Sequence, residues 1–252
     1  RDIYERNKEH EDLLEMLFQL YQQVEDYTSA INVLNRLEQI NGKNERLSAA
    51  KSEIYSRIGD SKAVVAEMES LAKQFPNDLN YLAMYGEALM MHGQTKKALA
   101  IYDKVLAEEP DNNRVLMSLR TYYQSMGDMA IVDSLTERVL LNRNATSEDK
   151  LHLLRQEIAN IEMNDGDSTH VLNLFRKMLN QPQPDADMAI LFASYMNAKQ
   201  MPKDSIARVL NKVLELTPDY AAARLQLVGY AWENEDLDRV ITLCRDARQY
   251  NP

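Results

Sequence analysis

From residue 59 onward, apolar positions recur along this chain with helical spacing. Val64, Met68 and Leu71, then Ala98, Tyr102 and Val105, then Val132, Thr136 and Val139 follow one another at steps of four and three, which gathers the side chains on one face of an α-helix. Each set comes after a glycine, and Gly59, Gly93 and Gly127 stand 34 residues apart. Pro76 and Pro110 close the first two segments seventeen residues after their glycine, and Asn144 holds that place in the third. A glycine can end a helix in the left-handed conformation. The Asp60 and Asp128 that follow two of these glycines can cap the next helix by accepting its free amides. Proline lacks an amide hydrogen and disfavours helix in the residue before it. The pattern therefore predicts helix, tight turn, helix, stop, repeated with a 34-residue period.

In these features the chain resembles the tetratricopeptide repeat family, whose pattern runs W-x2-L-G-x2-Y, then A-x3-F, then P. The third unit fits best, with Leu82, Tyr85, Gly86 and Leu89 in the first helix and Ala98, Tyr102 and Pro110 after it. The first unit offers Tyr21, Ala30 and Leu34, with Gly42 in place of the proline; the second offers Tyr55, Gly59, Met68 and Pro76; the fourth offers Leu116, Leu119, Tyr123 and Gly127. The sixth closes on Pro218 after Ile206 and Leu210, and the seventh on Pro252 after Val240 and Cys244. The fifth departs from the pattern. About five extra residues near Thr146 to Leu151 are needed before Gly166, Val171, Phe175 and Met178 fall into place, which predicts a longer first helix or a wider opening turn.

The expected units are 11–44, 45–78, 79–112, 113–146, 147–185, 186–220 and 221–252, with residues 1–10 as the tail of a preceding repeat helix. The chain reads as a window cut from a longer array. The resemblance implies an all-α fold, a right-handed superhelical α-solenoid of about seven helix-turn-helix units, in which stacked pairs contact only their neighbours.

It also implies that positions 2, 5, 9, 12 and 13 of each first helix line an inner groove for a partner protein or peptide. That rule selects Asn80 and Glu87 in the third unit, and Arg114, Thr121 and Gln124 in the fourth. It selects Met188, Leu191 and Tyr195 in the sixth, and Leu225 and Trp232 in the seventh. The expected lining changes from polar to apolar and aromatic along the chain, and Trp and Tyr are enriched at binding hot spots. The alternative for Tyr195 and Trp232 is packing against neighbouring helices or against a missing eighth unit. The family's clamp for chaperone C-terminal carboxylates uses Lys, Asn and Arg on three successive first helices. The matching places hold Glu15 and Gln19, Ala50, then Asn80 and Met84. One unit later they hold Ala49 and Glu53, Met84, then Arg114 and Ser118. Neither set makes the clamp, so chaperone tails are not the expected partner.

Composition narrows the function further. The 252 residues are 45% hydrophobic and 27% charged, enough apolar material to fold, and no apolar run approaches the roughly 18 residues needed to cross a bilayer. A formal charge of −10 argues against nucleic-acid binding, which needs clustered Lys and Arg. One cysteine, Cys244, allows neither an internal disulfide nor a thiolate metal site. His10, His92, His152 and His170 share no metal or triad spacing. The stretch Asn164 to Ser168 lacks the glycine and closing glutamate of a calcium loop and reads as a turn in which Asp167 or Ser168 caps the next helix. Asn144-Ala145-Thr146 fits a glycosylation sequon, and Thr146 or Ser147 reads as a helix cap. No phosphate loop or nucleophile elbow occurs. No cofactor or metal is expected and no catalysis. The expected activity is that of a protein-binding scaffold, and the alternative is a domain that senses a peptide or small ligand and controls an attached domain. The degenerate, Met-, Asn- and Tyr-rich repeats resemble long bacterial tetratricopeptide proteins, many of them exported, so periplasm or cell envelope is preferred to cytoplasm.

Overall fold

The computed structural model describes residues 10–163, 166–183 and 185–250. Residues 1–9, Pro252, and Asn164 and Asp165 of the calcium-like stretch lie outside them. Among the described residues are fourteen α-helices and no strand, and the chain divides into two compact units, Arg1–Met129 and Ala130–Pro252.

In the first unit α1 (Glu11–Gln23) packs on α2 (Tyr27–Asn41), α3 (Glu45–Arg57) on α4 (Ser61–Gln74), and α5 (Leu79–Met91) on α6 (Thr95–Glu108). Each pair then docks on the next. α2 meets α3, α4 meets α5, and both α5 and α6 meet α7 (Asn113–Met126). The second unit continues with α8 (Met129–Leu141), α9 (Ser147–Met163), α10 (Thr169–Leu179), α11 (Asp187–Ala198), α12 (Lys203–Leu216), α13 (Ala221–Glu233) and α14 (Leu237–Tyr250). Here α9, α10 and α11 touch one another, and α11 to α14 pack in sequence order. Stacking of helix pairs on their chain neighbours is the α-solenoid arrangement.

The turns inside the pairs share one hydrogen-bond pattern. At residues 25, 59, 93, 127, 200 and 235 the amide reaches the carbonyl three residues back. The next amide reaches the carbonyl five back, all at 2.8–3.2 Å, which is the Schellman termination of a helix. Every residue in that place has positive φ, between 51° and 77°. Gly59, Gly93 and Gly127 supply it without steric cost, and Glu25, Gln200 and Glu235 adopt it despite their side chains. The following aspartate then starts the second helix. Asp26, Asp60 and Asp236 accept from the amides of Ser29, Ala63 and Arg239 at 3.0–3.1 Å. In the fifth pair Gly166 makes the five-back bond to Ile161, one place later in the turn than Gly59. α9 runs to 17 residues, where the other first helices run 12 to 14. Thr146 accepts from the Asp149 amide at 3.1 Å, and Asp167 accepts from both amide and hydroxyl of Thr169. Those two bonds hold the Asp167 carboxyl below its ordinary range.

The periodic apolar positions form the core. Val64, Met68, Leu71, Ala98, Tyr102, Val105, Val132, Thr136 and Val139 are all buried. Tyr102 fits because Gly86 has no side chain: a Cβ there would lie 2.5 Å from the ring. Burying a side chain of this size contributes roughly 1.5–3 kcal/mol. The Tyr102 hydroxyl meets Ser118 of α7 at 2.5 Å. Burial pushes the phenol up to about 12, the Ser118 hydrogen bond opposing and the charge of Glu87 adding to the rise.

The first unit also buries charge. Lys43 and Lys51 are each less than a tenth exposed. Lys43 contacts Glu67 at 2.6 Å and Glu38 at 3.3 Å, Lys51 pairs with Glu38, and Ser48 donates to Glu67 at 2.8 Å. Every cation in this cluster therefore faces a carboxylate, the condition under which buried charge is tolerated.

Candidate functional site

The sequence-selected residues separate into three environments. In the first unit Asn80, Thr121 and Gln124 are exposed, while Glu87 and Arg114 are half-buried and pair with each other at 2.9 Å. Burial raises the Glu87 carboxyl, with Arg114 pulling it back down. Thr121 donates to the Met117 carbonyl at 3.1 Å, and Gln124 accepts from Arg120 at 3.4 Å. Glu15 and Arg46 make a similar tie between α1 and α3 at 2.6 Å. The charged groups of this face are internally paired, Met91 stands exposed among them, and at the clamp positions of its first helix the face presents the carboxylate Glu15 rather than a cation.

In the second unit two expectations are corrected. Met188 is 3% exposed and Tyr195 5% exposed, so neither offers a surface to a partner. Tyr195 packs against Phe175 with ring centroids 6.1 Å apart, and Phe175 stacks on Phe192 at 4.6 Å. The physical cause is the position of α11, which touches α9, α10 and α12 at once and so turns inward a face that the register assigned outward. Leu191 is half-buried.

Leu225 and Trp232 lie open, at 71% and 66% exposure. They occupy one stripe of α13 with Gly229 between them, at steps of four and three. A side chain at Gly229 would meet nothing within 4 Å, so the glycine leaves a saddle between two large apolar groups. Polar contacts run along one side of the stripe. Glu233 pairs with Lys203, Gln226 donates to Asn197 at 2.8 Å, and Tyr230 donates to the same Asn197 oxygen at 3.1 Å. The Lys203 ammonium stands 5.6 Å from the Tyr230 ring centre. The repeat register did not single out Asn197, Gln226 and Tyr230, because they sit between its groove positions and carry no motif of their own.

The remaining chemistry-bearing residues stay scattered. Cys244 is exposed and free. His152 contacts Gln156, and His170 stands 3.9 Å from Asp133. Among the described residues no three His, Cys, Asp or Glu side chains converge as metal ligands, and no helix is long and apolar enough to cross a membrane.

Residues 59–121 match the sequence model of the family described as Tetratricopeptide repeat. The chain is similar to lipopolysaccharide assembly protein B of Haemophilus influenzae, 22% identical over 177 residues, covering 68% of this chain and 43% of that protein. It is similar to mitochondrial import receptor subunit TOM70 of Homo sapiens, 24% identical over 199 residues, covering 76% of this chain and 30% of that protein. The chain thus spans less than half the length of these curated relatives. Among solved structures, the C-terminal part of a TPR repeat-containing protein from Cytophaga hutchinsonii aligns with a TM-score of 0.44 at 16% identity, covering 96% of this chain and 95% of that one. A tetratricopeptide repeat protein from Parabacteroides merdae aligns with a TM-score of 0.43 at 15% identity, over 87% and 98% of the two chains.

Proposed function

We propose, from the tetratricopeptide repeat match of residues 59–121 and the exposed face of α13, that this chain is a non-catalytic scaffold that binds a segment of another protein. The observation that carries this reading is the exposed stripe of Leu225, Gly229 and Trp232 on α13. Leu225 and Trp232 share one helix face with a polar flank, exposed apolar patches rimmed by polar groups mark interaction sites, and tryptophan is enriched at binding hot spots. The names of two curated relatives, an assembly protein and an import receptor subunit, accord with binding rather than chemistry.

In this reading the stripe on α13 supplies the desolvation energy of binding, and Asn197, Gln226 and Tyr230 beside it hold one another in place. The test is affinity capture from the source organism's lysate with the native chain and a Leu225→Ala/Trp232→Ala variant, after circular dichroism has established that the variant folds. The expected result is a discrete protein retained by the native chain and lost from the variant. Identical capture by both would reject the stripe as the binding site.

A further inference from the structure

The irregular fifth pair carries a recess at the start of its long first helix. Residues 143–150 and 181–183 border about 630 Å³, lined by Arg143, Ala145, Ser147, Lys150, Gln181 and Gln183 together with Pro182. Among the described residues that line it none is acidic, in a chain whose formal charge is −10. Neither Arg143 nor Lys150 has a carboxylate partner among the described residues. Lys150 is half-buried, and burial alone holds its ammonium below the usual lysine range.

The helix start adds to the positive character. α9 is the longest helix of the chain's described residues, and its dipole places partial positive charge at Ser147. The first helical bond runs from the Lys150 amide to the Thr146 carbonyl, and the Thr146 hydroxyl takes the Asp149 amide. The amides of Ser147 and Glu148 precede these bonds and have no partner within the helix. The opposite wall is fixed, because the Gln183 side-chain amide donates to the carbonyls of Met178 and Gln181 at 2.7 and 3.0 Å. Asp185 accepts the Asp187 amide at 3.0 Å and lines an adjoining cleft of about 30 Å³ that shares Ser147, Lys150, Gln181 and Gln183 with the recess. Glu148 and Asp149, in the first turn of α9, line a further recess that meets this one at Ser147.

We propose that this recess binds a phosphoryl group, free or as the ester of a small molecule. Arg143 and Lys150 supply charge, and the first turn of α9 supplies amides and the Ser147 hydroxyl. A guanidinium, an ammonium and a helix N-terminus around one cavity match the charge and the acceptor oxygens of a phosphate. The volume falls in the range of small-molecule pockets, leaving room for an organic moiety. The proposal is independent of the stripe on α13.

The experiment is isothermal titration calorimetry of the 252-residue chain with inorganic phosphate and with phenyl phosphate, ionic strength being matched with chloride. The expected result is saturable binding of at least one probe. Tighter binding of phenyl phosphate identifies an ester as the ligand, and equal or tighter binding of inorganic phosphate identifies the free ion. Arg143→Gln/Lys150→Gln should weaken binding about tenfold or more. Lys150→Arg should retain most of it, and Lys62→Gln, at an exposed position of the other unit, should bind as the native chain does. Absence of saturable heat for both probes overturns the proposal. So does undiminished binding by the Arg143→Gln/Lys150→Gln variant, or an equal loss in Lys62→Gln. Thermal melts monitor folding of each variant, and Lys150→Gln alone repeats the test should the double variant unfold.

Discussion

Removing a single oxygen from Tyr195 should leave the second unit as stable as before or more so. Its hydroxyl is buried without a hydrogen-bond partner, and a buried polar group left unpaired costs roughly 1–3 kcal/mol. Tyr195→Phe is expected to raise the urea midpoint, whereas Tyr195→Ala empties core space beside Phe175 and should cost about 3–5 kcal/mol. A Tyr195→Phe variant clearly less stable than the native chain would show that the hydroxyl has a partner. Glu38 is the opposite case. Burial raises its carboxyl, but the Lys51 and Lys43 ammonium groups outweigh burial and hold it below its unfolded value of 4.5. A carboxylate lowered by folding stabilises fully above the unfolded value, and that stabilisation is lost as pH falls through the folded value. Protection of α2 to α4 amides from hydrogen exchange should therefore weaken as pH drops below about 4.5. Glu38→Gln should cost about 3 kcal/mol at neutral pH, since Lys51 would remain buried without its carboxylate, and should flatten the acid response. An unchanged acid response in that variant would exclude Glu38 as its source.

At the scale of the element, six turns share one left-handed position, and only three of them hold glycine. The left-handed region costs an ordinary residue roughly 1–2 kcal/mol, of which glycine returns about 0.5–1 by its larger unfolded entropy. Glu25→Gly, Gln200→Gly and Glu235→Gly should each stabilise by about 0.5–1 kcal/mol. Thermal melts followed by Trp232 fluorescence check the last two, and destabilisation would contradict the turn assignment. These turns also mark how much the sequence could say. Gly59, Gly93 and Gly127 announced the period because glycine is visible as a letter. Glu25, Gln200 and Glu235 did not, since only the surrounding hydrogen bonds force their conformation. Likewise, Tyr102 and Leu71 were legible as core from helical spacing, but the Lys51–Glu38 pair joins separate helices and leaves no local pattern. For the candidate site, the register placed Leu225 and Trp232 on an open face and failed for Met188 and Tyr195, where contact of α11 with three other helices decides what is buried. The recess beside α9 was invisible for a related reason: its walls come from loops some forty residues apart, and the sequence showed there only an interruption of the repeat.

At the scale of the molecule, an array of helix pairs has no single closed core, so its stability is close to a sum of local terms and its surface is large for its mass. Such a fold suits recognition, where each pair presents a few side chains and the sum sets specificity. Here the offered groups differ between the units. The charges of the first unit largely satisfy one another, and its exposed apolar groups, such as Val24, Met91 and Met126, sit on separate helices; the second exposes the Leu225 to Trp232 stripe. Association through that stripe should depend on apolar burial and tolerate salt, whereas rim charges such as Lys203 and Glu233 should affect mainly the rate of encounter. The most direct test of this account is the paired capture experiment with the native chain and the folded Leu225→Ala/Trp232→Ala variant. The account predicts a partner protein that is retained by the native chain and released from the variant. The same proteins bound to both would contradict it.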